Sequence, residues 1–161
     1  MQGIGGGNFA PGANLSRAQF ATILWRMAGE PAASGRLTLQ DVSAGQWYSE
    51  AIAWAYREGI VEGIGADSFV PGAYISREQM AVMLFRFAEY AGLDISVPST
   101  FNWNRFIDRD NVSDWAEDAM RWAVHNGIII GTSPTTLSPQ GTASRAQCAT
   151  ILMRYMQGLA V

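Results

Sequence analysis

Three short stretches put an arginine where a helix is about to begin. "LSRAQ" at residues 15–19 returns as "ISREQ" at 75–79 and "ASRAQ" at 143–147. In each, Ser16, Ser76 or Ser144 is a natural N-cap whose hydroxyl accepts from an amide one turn in. Gln19, Gln79 and Gln147 follow three residues later and reach back to the cap amide, completing a capping box. Arg17, Arg77 and Arg145 then occupy the first helical position, where unpaired N–H groups carry partial positive charge. A cation there is disfavoured by about 0.3–1 kcal/mol. Arg26, Arg86 and Arg154 come nine residues on, at C-terminal ends that favour positive charge, and need no function. The first-turn arginines need an anion, either a carboxylate of this chain or one on a ligand. A guanidinium beside free helix N–H groups makes a two-part anion site.

The elements that must position these arginines form a repeat. A shift of 60 residues superposes Gly3, Gly5, Phe9, Pro11, Ser16, Arg17 and Gln19 on Gly63, Gly65, Phe69, Pro71, Ser76, Arg77 and Gln79. A further shift of 68 carries Trp47, Trp54, Gly59 and Gly63 onto Trp115, Trp122, Gly127 and Gly131, and Arg77 onto Arg145. The chain divides into a partial repeat over 1–29, a full one over 39–90 and another over 106–158. Polar, Gly/Pro/Ser-bearing connectors join them. Each full unit reads as helix, glycine turn, irregular glycine-rich loop, helix. The first helix spans 47–59, with Tyr48, Ala51, Ile52 and Ala55 on one face. Gly59 and Gly127 suit left-handed C-caps. The second helix carries an apolar stripe at i, i+3, i+4, i+7: Met80, Met83, Leu84 and Phe87 in one copy. Cys148 takes that stripe's first place in the last copy and reads as a buried, inert thiol. The first repeat has no first helix in this chain. The apolar faces of the other two are therefore expected to be exposed unless an upstream segment or a second copy covers them.

Composition narrows the function. The chain has 161 residues, 48% of them hydrophobic and 16% charged, with a net charge of −3. Such a length supports one domain with a proper core. The acidic balance argues against non-specific nucleic-acid binding, and no apolar run is long enough to insert in a membrane. All 11 cations are arginines, which suits planar recognition of carboxylate or phosphate. No zinc-ligand spacing, Ser/His/Asp set or lysine-bearing phosphate loop appears. His125 lies near a helix end beside Asn126 and Gly127. The chain is expected to be non-catalytic, without metal or cofactor.

The unit "DVSAGQWYSEAIAWAYREGIVEGIGADSFVPGAYISREQMAVMLFRFA" resembles the S-layer homology (SLH) repeat of bacterial cell-surface proteins, and "SRAQ/SREQ" resembles that family's Thr-Arg-Ala-Glu-type motif. The resemblance implies an all-α fold in which three helix–loop–helix units assemble with pseudo-threefold symmetry around a central helical bundle. It also implies an extracellular place at the bacterial surface, where grooves bind secondary cell wall polysaccharide bearing pyruvate ketals. The ligand role then falls on Arg17, Arg77 and Arg145. In all three copies glutamine stands where the family motif has glutamate, which removes a tight internal ion pair at that place. Further groove candidates are Gly63 and Gly131, whose turns let backbone approach closely, and Trp47 and Trp115. For the tryptophans, stacking on a sugar face competes with a core or staple role. Asp41 and Asp108 are candidates too, with capping of the turn entering the first helix as the competing role. A structural or oligomerisation module with degenerate grooves is the alternative to a wall-binding anchor.

Overall fold

The computed structural model describes residues 6–33, 38–65 and 67–158; Gly3 and Gly5 lie outside the described residues. Within these, the secondary structure is helical, with isolated bridges and no strand. The α-helices are α1 (Arg17–Met27), α2 (Ser49–Arg57), α3 (Arg77–Tyr90), α4 (Glu117–His125) and α5 (Arg145–Gly158). Three short 3-10 turns precede α4.

Local chemistry sets the helix ends. At α1, α3 and α5 the capping box is complete: Gln19, Gln79 and Gln147 amides donate to Ser16, Ser76 and Ser144 hydroxyls, and the glutamine carbonyls accept from the serine amides. Gly59 and Gly127 adopt φ of +71° and +66°. The amides of Ile60 and Ile128 reach back to Ala55 and Ala123, closing Schellman turns after α2 and α4. The first helices begin two residues later than the sequence predicts. Gln46 donates to the Ser49 hydroxyl, which itself donates to the Ser43 carbonyl, so the chain is still turning through Trp47.

The second helix of one repeat packs on the first helix of the next: α1 on α2, and α3 on α4. Trp54 and Trp122 sit in this core at 1% exposure, with Trp54 edge-on to Phe87 and Trp122 edge-on to Phe85. A ring of backbone hydrogen bonds links all three repeats. Leu15 donates to Ala143 (3.1 Å), Ala143 to Ile75 (3.3 Å) and Ile75 to Leu15 (2.9 Å). All three residues are fully buried, so each of these bonds is made away from competing water.

Apolar exposure falls elsewhere than expected. The first helices α2 and α4 keep their apolar faces covered, while α5 shows Met153 at 45% and Met156 at 54% exposure. The counterparts of Met153, Trp25 and Phe85, pack against the core. The reason is the pairing order: a first helix covers the second helix of the preceding repeat, and no described helix follows α5 in that way. Within α5, Cys148 is buried, and burial pushes its thiol up to about 12, out of reach of ionisation at neutral pH.

Tyr155 is an unusual core residue. Its ring packs against Phe87 and Trp122, but its buried hydroxyl has no hydrogen-bond partner among the described residues. Burial raises its pKa to about 12, and its counterparts Met27 and Phe87 carry no such polar atom. Tyr155→Phe is expected to stabilise the protein by about 1 kcal/mol, because it removes an unsatisfied buried donor at little loss of packing. Urea denaturation measures this, and a loss of stability would mean that the hydroxyl has a partner in solution.

Candidate functional site

The first-turn arginines are buried and turned onto the loop of a neighbouring repeat. Arg17 and Arg77 are each 6% exposed and Arg145 is 4% exposed. Arg17 donates from Nε to the Phe69 carbonyl (2.8 Å) and from Nη2 to the Glu62 carbonyl (3.2 Å). Arg77 repeats the pattern on Leu137 (2.8 Å) and Ile130 (2.6 Å). Arg145 donates to the Phe9 carbonyl at 2.8 Å. Arg17 and Arg145 also lie over the Phe69 and Phe9 rings, at 4.5 and 4.8 Å from the centroids. Repeat one thus grips repeat two, two grips three, and three grips one.

Among the described residues, Arg17 and Arg77 meet backbone carbonyls and not a carboxylate of this chain. The expected helix-terminus anion site is also closed. The first-turn amides of Arg17, Arg77 and Arg145 donate to the Ala73, Gly141 and Ala13 carbonyls; those of Ala18, Glu78 and Ala146 donate to Pro71, Pro139 and Pro11. The neighbouring loop thus presents the negative ends of several peptide dipoles, which satisfy the helix terminus and the guanidinium together. A cation tolerates the first turn because oxygen atoms surround both.

Asp41 and Asp108 complete this arrangement from behind the loop. Asp41 accepts from the Phe69 and Val70 amides (2.8 and 2.6 Å), and Asp108 from those of Leu137 and Ser138 (each 2.8 Å). They do not cap the turn into the first helix as expected; their partners lie 28 to 30 residues further on. Each holds a loop in which the residue before proline is left-handed without being glycine, Val70 at φ 56° and Ser138 at φ 52°. That conformation is costly, above all for a β-branched side chain. Burial lowers the Arg17 and Arg77 pKa values, and the charges of Asp41 and Asp108 offset part of that effect. The peptide between carboxylate and guanidinium relays the pairing.

Arg17 also lines an open cavity of about 360 Å³. Its guanidinium has five N–H donors. Two serve the carbonyls of Phe69 and Glu62, which leaves three. The cavity walls are Ile60, Val61, Ile64, Val82 and Met83, with Gly63, Gln79, Arg86, Glu62 and Trp115 completing the lining. Trp115 is 58% exposed and Trp47 61%, so neither takes the core role that competed with sugar stacking. Trp47 stands edge-on to Tyr48 at 5.1 Å. Gly63 lines the cavity with Arg17, whereas Gly131 lines a separate cavity of about 330 Å³ with Arg105 and Phe106.

Two groups in the groove were missed from sequence. The sequence places Arg86 and Arg154 at helix C-terminal ends, but α3 runs on to Tyr90 and α5 to Gly158, so neither arginine lies in a last turn. Arg86 pairs instead with Glu62 at 2.9 Å inside the cavity lining. The available signal was Glu62 itself, a charge at a position that holds Ile130 in the last repeat.

A family model described as the S-layer homology domain matches residues 1–21, 40–81 and 105–149. The chain belongs to the S-layer homology family. Among similar proteins, the Surface-layer 125 kDa protein of Lysinibacillus sphaericus is 34% identical over 163 residues, covering 99% of this SLH chain and 13% of that protein. Exoglucanase XynX of Acetivibrio thermocellus is 31% identical, covering 98% of this chain and 14% of that enzyme. The Cellulosome-anchoring protein of the same organism is 24% identical, covering 98% and 35%. The SLH chain therefore spans only a minor part of each of these relatives. Among its described residues, no helix is long and apolar enough to cross a membrane.

Proposed function

We propose that this SLH chain is a non-catalytic anchoring module that holds a bacterial surface protein to cell wall polysaccharide outside the cell. The observation that carries the reading is the meeting of Arg17, Arg86 and exposed Trp115 in one cavity with apolar walls. An aromatic face suits the C–H face of a sugar ring, and guanidinium groups suit a carboxylate. A pyruvate ketal on the wall polymer supplies both features in one residue. Arg17 serves this groove with the donors left over from its carbonyl contacts; the recurrence of the motif supports the same role for Arg77 and Arg145 at the other two junctions between repeats. Asp41 and Asp108 support the loops and do not touch ligand. Similarity to proteins as different as a surface-layer protein, a glucanase and a cellulosome-anchoring protein fits a module that travels with varied cargo.

The test is calorimetry with pyruvylated wall polysaccharide and with the same polymer stripped of its ketals. Trp115→Ala is expected to weaken binding about tenfold, the loss of an aromatic platform worth ~1.4 kcal/mol. Its melting temperature should hold, because the side chain is 58% exposed. Wild-type affinity in the variant would remove Trp115 from the groove, and equal binding of both polymers would remove the carboxylate.

The uncovered methionines of α5 favour a second reading, an assembly module whose repeats make protein–protein contacts. Light scattering separates the two, since a monomer that binds glycan excludes assembly as the main role.

A further inference from the structure

The groove contains a carboxylate of its own. Glu62 takes part twice: its backbone carbonyl accepts from Arg17, and its Oε1 accepts from the Arg86 guanidinium at 2.9 Å. The Glu62 side chain is 72% exposed while that of Arg86 is 26% exposed. The cation is thus set in the wall and the anion covers it from the solvent side. The backbone of Glu62 is held by Arg17 and by the Schellman turn before it, where Val61 donates to Ala55. The side chain can therefore leave Arg86 without disturbing the loop. An exposed pair of this kind is worth at most about 1 kcal/mol.

We infer that Glu62 is a built-in competitor for the groove, a carboxylate that occupies Arg86 until an anionic ligand displaces it. This rests on the groove reading proposed above. It makes Glu62 a specificity-determining residue: a neutral sugar leaves the Glu62–Arg86 pair intact and gains nothing from Arg86, whereas an acidic one exchanges one carboxylate for another. The device belongs to this groove alone among the two full repeats. In the last repeat the matching position is Ile130, 53% exposed, and Arg154 makes no ion pair among the described residues. A groove built on Arg154 meets its anion without competition, so the two sites differ in affinity and in salt dependence.

The experiment uses the whole chain and two defined probes, a methyl mannoside carrying a 4,6-pyruvate ketal and the methyl ester of the same compound. Glu62→Gln is expected to bind the acid about fivefold more tightly than wild type, the pair energy converted to affinity. The ester should bind both proteins alike, and Arg86→Gln should bind the acid more weakly than wild type. Melting temperatures report that each variant is folded. Equal or weaker acid binding by Glu62→Gln overturns the competitor role while leaving the groove intact, as does an equal gain for the ester. Failure of wild type and Glu62→Gln alike to bind the acid overturns the groove reading and this inference with it.

Discussion

Replacing Arg77 by methionine is expected to lower the unfolding free energy by about 3 kcal/mol. Methionine keeps much of the aliphatic stem, so the loss isolates the guanidinium. Arg77 is 6% exposed, and its guanidinium donates to the Leu137 carbonyl at 2.8 Å and to the Ile130 carbonyl at 2.6 Å. A hydrogen bond from a charged donor contributes about 1.5–3 kcal/mol, and its removal leaves a buried acceptor unsatisfied. Leu137 is fully buried, so water cannot replace the lost donor there. The loop is also pinned by Asp108 through the Leu137 and Ser138 amides, and without the arginine that carboxylate loses its nearby cation. Arg77→Lys should recover less than half of the loss, since one ammonium cannot match a fork that meets two carbonyls. Urea denaturation followed by circular dichroism gives the value. A loss under about 1 kcal/mol would mean that the repeats are not held together by these arginines. The same measurement separates two roles: an arginine kept only for ligand would leave stability unchanged.

Gly131→Ala is expected to destabilise the protein by about 3 kcal/mol, the upper end of what overpacking costs. A Cβ at this position would stand 2.3 Å from the Ser133 carbonyl oxygen and 2.5 Å from that of Thr136. Both are backbone atoms in a tight loop that Thr132 closes onto Thr136 at 2.8 Å, so neither can move aside as a side chain would. Close approach, and not a positive φ, makes glycine necessary here. Gly63→Ala meets a milder obstacle, the Ser68 oxygen at 2.9 Å, and should cost less. Because Ile130 precedes Gly131 and its carbonyl accepts from Arg77, the two predicted losses share one loop and should not add fully. Thermal melts of Gly131→Ala, Arg77→Met and the double variant test both points. Wild-type melting of Gly131→Ala would show that the loop is open in solution.

The sequence by itself determined the local features of this SLH domain. The capping boxes at Ser16, Ser76 and Ser144, the glycine caps at Gly59 and Gly127, and the stripes ending at Phe87 and Tyr155 all hold as read. Each depends on partners three to five residues away, at spacings that the helix fixes. The burial of Cys148 and the all-helical class follow from the same periodicity. Only the tertiary structure decided what the first-turn arginines meet. The partners of Arg17 lie 45 and 52 residues away and those of Arg77 lie 53 and 60. Those partners are backbone carbonyls, which every residue carries and which leave no mark in composition. The same holds for Asp41 and Asp108, whose partners are amides, and for Trp115, whose exposure depends on which helix its repeat packs against. Spacing along a chain encodes contacts within a turn; contacts between repeats are encoded in the order in which helices cover one another, and that order appears only when the ring of repeats closes.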